Sequence, residues 1–174
     1  MALHKARSGM ARRLRLDPYK KVTFRGVTLD RRTRAAFLWA EKRYRREAPK
    51  HRAAWRIGQG SYSDGALSGG THAGGGAVDV MFAGLNHTQR RATVWWLRMA
   101  GFADWAREGA AWGTNNDHSH GVLLGHRTAS PEAKSQMASY ADHRDGLAGN
   151  LYDSTPRPKR PRRFSYRQGK PVVL

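Results

Sequence analysis

The segment Thr71-His-Ala-Gly-Gly-Gly-Ala-Val-Asp79 is the strongest constraint on what this chain can fold into. It sets an imidazole and a carboxylate seven residues apart with three consecutive glycines between them, and it runs directly into the apolar stretch Ala77–Phe82. An acid inside such a stretch predicts a buried strand whose Asp79 faces a group that justifies its charge. A second cluster, Asp117-His-Ser-His120, opens another apolar run through Gly125 that also reads as a strand. His72 on a loop, Asp79 on one strand and His120 on another can converge if the two strands are antiparallel neighbours. The glycines remove side chains between His72 and Asp79, so the backbone can fold tightly enough for both to reach one point.

Two His and one Asp supply three ligands of the kind zinc takes, and leave a fourth position for a water that the metal would acidify. The chain has no cysteine, so a disulfide framework and a thiolate site are both excluded, and any metal must be held by imidazole and carboxylate. One zinc per chain is expected. His87, His126 and His143 lack such company and read as surface residues.

A chain of 174 residues with 39% hydrophobic content fits one domain with a real core. Residues 1–150 are read as that domain. The net charge is +19, with nearly all the excess in residues 1–50 and 151–174. Such ends would attract any polyanion, whether nucleic acid, an anionic lipid surface or anionic cell-wall polymers, through screened, unspecific forces. The first thirteen residues hold no apolar stretch of signal-peptide length, and no window approaches a membrane span. Synthesis in the cytoplasm is expected, with no membrane span and a monomeric state.

Val22–Leu29 alternates weakly and predicts a short strand. Asp30 can cap a following helix with the stripe Phe37, Ala40 and Tyr44, and Pro49 can stop it. The Arg and Lys of that helix read as a solvated face. Thr88–Met99 predicts a second helix, because Ala92, Trp95, Trp96 and Met99 fall at i, i+3, i+4 and i+7, with Gly101 placed to end it. The Trp pair reads as core. Phe102–Ala106 predicts another strand, and Ser130-Pro131 the cap and first turn of a last helix through Tyr140. Pro156–Arg163 has no core-forming composition, and 151–174 is read as a flexible basic tail. The expected class is therefore α+β: a small antiparallel sheet carrying the zinc site, flanked by helices.

His72-x-x-Gly75-x-Ala77-x-Asp79 and Asp117-x-x-His120 resemble the two signatures of the D-alanyl-D-alanine carboxypeptidase and dipeptidase family, zinc peptidases that cut bacterial wall peptides and include several phage endolysins. His118-Ser-His120 is similar to the His-x-His of the wider lysostaphin, D-Ala-D-Ala peptidase and sonic hedgehog group. The match covers about residues 52 to 125. The resemblance implies His72, Asp79 and His120 as ligands, Asp117 as general base, and His118 as stabiliser of the tetrahedral intermediate. It also implies an arginine assisting the substrate ahead of the first His, where Arg56 is nearest, with Gln59, Ser61 and Tyr62 as further candidates for that cleft wall. Gly70 stands where the family usually has Ser. In a hedgehog-type register the base would lie upstream, where the chain offers Thr114 and Asn115.

The implied activity is hydrolysis of amide bonds in peptidoglycan stem peptides, by a carboxypeptidase or an endopeptidase. Such an enzyme would act on the wall after release or as part of a virion. The alternative is a basic binding protein, for nucleic acid or wall, with a structural or non-catalytic zinc. No nucleic-acid motif accompanies the charge, so no specific nucleic-acid partner is expected.

Overall fold

The computed structural model describes residues 16–47, 54–63, 65, 68–113 and 115–174. The N-terminal residues read for an export signal, Pro49 and Thr114 lie outside them.

The predicted strand at Val22–Leu29 is a hairpin, β1 (Lys21–Phe24) and β2 (Val27–Asp30). Arg25 and Gly26 both have positive φ, 51° and 81°, which gives the two-residue turn that follows the twist of antiparallel strands. Asp30 then accepts from the Thr33 N–H at 2.8 Å and starts α1 (Arg31–Glu47). Phe37, Ala40 and Tyr44 are buried as expected. The basic face is not wholly solvated: Arg32 is buried and donates to the carbonyls of Leu124, Gly125 and Phe164.

The central sheet has the order β3-β4-β6-β5, from β3 (Ile57–Gln59), β4 (Ala77–Met81), β6 (His118–Leu123) and β5 (Phe102–Arg107), with every neighbouring pair antiparallel. Side chains alternate between faces along each strand. One face sends Val78, Val80, Phe102 and Leu123 into the main core with α1 and α2 (His87–Ala100). Trp96 is buried there and Trp95 packs against it, as core residues. Asn86 caps α2, and Gly101 ends it at φ 97°. The other face carries Asp79, His118, His120, Trp105 and Arg107. α3 (Pro131–Ala141), capped by Ser130, packs beside it through Ala133 and Tyr140.

Residues 151–174 correct the expectation of a flexible tail. β7 (Arg162–Ser165) and β8 (Lys170–Val173) form a hairpin that inserts Phe164 into the main core. Asp153 receives two arginines, Arg98 at 2.7 Å and Arg157 at 2.8 Å. Basic composition argues against a separate core, but one aromatic ring and a few satisfied polar groups dock this segment on an existing one. Among the described residues no helix is long and apolar enough to cross a membrane.

Candidate metal centre

Register builds the site. Across the sheet, Gln59 is opposite Asp79, Asp79 opposite His120, and His120 opposite Trp105. The next pair toward the strand ends is His118 with Arg107. The loop before β4 brings in His72: Ser63 N–H donates to the His72 carbonyl and Tyr62 N–H to that of Gly74. The glycines serve this loop differently from the expectation. Gly74 lies so close to the backbone of residues 128–130 that a Cβ would sit 2.4 Å from Thr128 O and Ser130 N, and Gly76 takes a φ of 95°. They dock the loop on the segment entering α3, and that docking positions His72.

His72, Asp79 and His120 are all buried and come together. His72 Nε2 is 3.3 Å from His120 Nδ1 and 3.2 Å from Asp79 Oδ1, and His120 Nδ1 is 2.8 Å from Asp79 Oδ1. The remaining imidazole nitrogens are committed. His72 Nδ1 donates to the Gly60 carbonyl at 2.8 Å, so its neutral form presents a lone pair at Nε2. His120 Nε2 donates to Gln136 Oε1 at 2.8 Å, and the Gln136 amide is itself oriented by donating to the Gly146 carbonyl. With both imidazoles neutral, three acceptor atoms therefore face one another, an arrangement that a metal ion or a proton on His72 can satisfy.

A tetrahedral ion bonded at about 2.0–2.1 Å sets its ligand atoms about 3.3–3.4 Å apart, so two of the three spacings already match and the third must open by about half an ångström. The group can hold a metal ion. Carbonyl or carboxamide acceptors behind each imidazole are the usual outer support of such ligands. The electrostatics agree. Burial opposes charge on His72, but its hydrogen bond and attraction to Asp79 lift its pKa above the ordinary value. Burial also opposes charge on Asp79, and His120 and His72 overcome it, holding the carboxyl well below the usual carboxylate range.

The triad opens on a cleft of about 1110 Å³. Arg56, Gln59 and His118 are among the residues that line it. His118 Nδ1 donates to the Asn116 carbonyl at 2.6 Å, which leaves Nε2 as an acceptor 4.0 Å from Asp79 Oδ2. Three expectations are corrected. Ser61 is buried with its hydroxyl on the Ala77 carbonyl, and Tyr62 shares a hydrogen bond with Thr128, so neither forms the cleft wall. Asp117 is not brought to the triad. His118 and His120 share one face of β6, so the residue before His118 turns to the other side. There Asp117 takes hydrogen bonds from Arg90 at 2.9 Å and the Gly109 N–H at 3.0 Å, which hold its pKa down. Asn115, the upstream alternative, is exposed and does not line the cleft.

Of the histidines read as surface residues, His87 and His143 are exposed. His126 is not: it is fully buried 3.0 Å from Asp30, under the Tyr19 ring. Sequence reasoning missed Gln136, Arg107 and Trp112, whose places in the cleft depend on register and helix docking rather than on any local pattern. No protein-family model, curated protein or solved structure matches this chain.

Proposed function

We propose that the protein is a zinc-dependent peptidase that hydrolyses amide bonds in peptidoglycan stem peptides, in the manner of a phage endolysin. The convergence of His72 Nε2, Asp79 Oδ1 and His120 Nδ1, with the other imidazole nitrogens already donating, is the observation that carries this reading. Two nitrogens and one oxygen, with no sulfur, form a donor set that zinc accepts, and three protein ligands leave room for chemistry. The order and spacing of these residues follow the wall-peptidase signatures they resemble, which supports the substrate class.

When bound, zinc supplies Lewis acidity, lowering the pKa of a water and polarising the scissile carbonyl. The protein's own groups do the rest. His118, fixed by its bond to the Asn116 carbonyl, presents Nε2 to the reacting centre. It takes the proton of the attacking water and returns it to the leaving amine. His118 thus replaces Asp117 as the base, because Asp117 is occupied by Arg90 and Gly109. The cleft walls at Arg56 and Gln59 hold the peptide.

The test is metal analysis together with mass spectrometry of peptidoglycan after incubation. One zinc per chain, new stem-peptide fragments and loss of both with chelator are expected. His118→Gln lowers cleavage by about 10²- to 10⁴-fold, the usual contribution of a positioned acid–base group, while zinc content stays the same. Asp117→Asn leaves both unchanged. Zinc-loaded protein that releases no fragments would overturn the peptidase reading.

A further inference from the structure

The two basic ends of the chain, far apart in sequence, meet on one surface. α1 carries seven Lys and Arg against two acids, and residues 162–174 carry four against none. The two segments are in contact, and the buried Arg32 ties them by donating to the Phe164 carbonyl. A groove of about 430 Å³ is lined by both. Arg31, Arg34 and Lys42 enter it from α1, and no acid lines it. Both acids of α1 are engaged elsewhere, Glu41 by Arg25 at 2.7 Å and Glu47 by the Trp96 indole N–H at 3.1 Å. Among the described residues no ion pair involves Arg31, Arg34 or Lys42.

The rest of the lining is apolar or aromatic, with Leu38, Trp39 and Tyr166 half-buried. Cations and rings interleave here: the Arg34 guanidinium lies 5.1 Å from the Phe24 ring centre, and that of the exposed Arg43 lies 5.1 Å from that of Trp39. Charge alone would serve any polyanion. The rings add a feature that only a ligand with flat faces can use, since unpaired bases stack on aromatic side chains and on guanidinium planes. A wall phosphodiester of polyol units has no such face. The metal-centre cleft, by contrast, holds Asp79, Glu132 and Asp142, which repel a polyanion. We propose that the groove between α1 and the C-terminal hairpin binds single-stranded nucleic acid without sequence preference. Phosphates sit on Arg31, Arg34 and Lys42, and bases lie against Trp39 and Tyr166. Arg31 and Lys42 are about 16 Å apart along the helix axis, so the groove follows a stretch of a few nucleotides rather than one phosphate. None of this rests on the peptidase reading.

The experiment measures binding of a fluorescein-labelled oligothymidylate to the full chain by anisotropy, with polyphosphate of matched length as the ring-free competitor. The oligonucleotide is expected to bind more tightly by about 5- to 150-fold for each stacked base. Trp39→Ala and Tyr166→Ala each lose about that factor for the oligonucleotide and leave polyphosphate binding unchanged. Arg34→Gln combined with Lys42→Gln lowers the slope of log affinity against log salt by about 1.4, since each phosphate contact to a single strand contributes about 0.7. Arg91→Gln, on the exposed side of α2, leaves oligonucleotide affinity unchanged. Equal affinity for the two polymers in the unaltered protein means that charge alone is read, as a wall phosphodiester would also be, and overturns the proposal without reliance on any variant. An advantage that survives in folded Trp39→Ala and Tyr166→Ala proteins, or a salt slope unmoved by the paired Gln changes, also overturns it. The two readings fail separately: oligonucleotide binding by a protein whose zinc form cuts no peptide leaves the groove and removes the peptidase. Cleavage by a protein that does not bind the oligonucleotide does the reverse.

Discussion

Asp79 and Asp104 are buried carboxyls on the two strands that flank β6, and they are in opposite states. Asp79, opposite His120, meets two imidazoles on the cleft face and stays ionised in spite of its burial. Asp104, opposite Gly121, points into the other face, where burial drives its pKa well above the ordinary value. It bonds the Ser119 hydroxyl at 2.5 Å, and its second oxygen has no partner among the described residues. Arg98 reaches only its backbone carbonyl. Both are buried, Asp104 completely and Asp79 at 8% exposure, and burial raises both, so the two imidazoles beside Asp79 make most of the difference. One face of the sheet favours a negative charge where a cation can use it, and the other favours the protonated acid inside the core.

The largest effect expected from this contrast follows removal of the charged member. Asp79→Ala weakens zinc binding by more than about 100-fold, the upper end for changes outside the ligand shell. Calorimetric titration checks it, and near-normal affinity would mean that Asp79 is no ligand. Gln136→Leu tests the support behind His120. Without the acceptor that fixes the imidazole tautomer, affinity falls by about 10- to 100-fold, and Gln136→Glu, which keeps an acceptor, restores it.

The smallest effect concerns the neutral member and appears in stability. The unfolded chain ionises Asp104 near the ordinary pKa of about 3.9, whereas the native state holds its proton to higher pH. Above that lower value the native state binds more protons than the unfolded one, so this residue's contribution to stability falls as pH rises toward its folded pKa. Asp104→Asn has no proton to lose. Thermal melts across pH should show the variant gaining on the native protein as pH rises through that window. Parallel curves would mean that Asp104 is not held neutral.

The triad was legible because chemistry and pattern coincide there: an acid inside an apolar run, and a histidine opening another. The same period-two rule also explains the misplaced base. If His118 and His120 share a face, Asp117 cannot, so the signature's acid was assigned against the alternation of its own strand. Gln136 and Arg107 were not legible, since their places in the cleft arise only when α3 docks and β5 pairs with β6 in one register. His126 looked solitary because its partner, Asp30, is far away in sequence. Residues 151–174 looked incapable of packing because composition was judged for the segment alone, whereas Phe164 completes a core built by other elements.

X-ray absorption on the zinc-loaded protein tests the central claim most directly. The account predicts one zinc per chain bound by two imidazole nitrogens and at least one carboxylate oxygen at about 2.0–2.1 Å, with that signature lost in His72→Ala and His120→Ala. Zinc that fails to bind in stoichiometric amount, or that binds with the same ligands after either substitution, would contradict it.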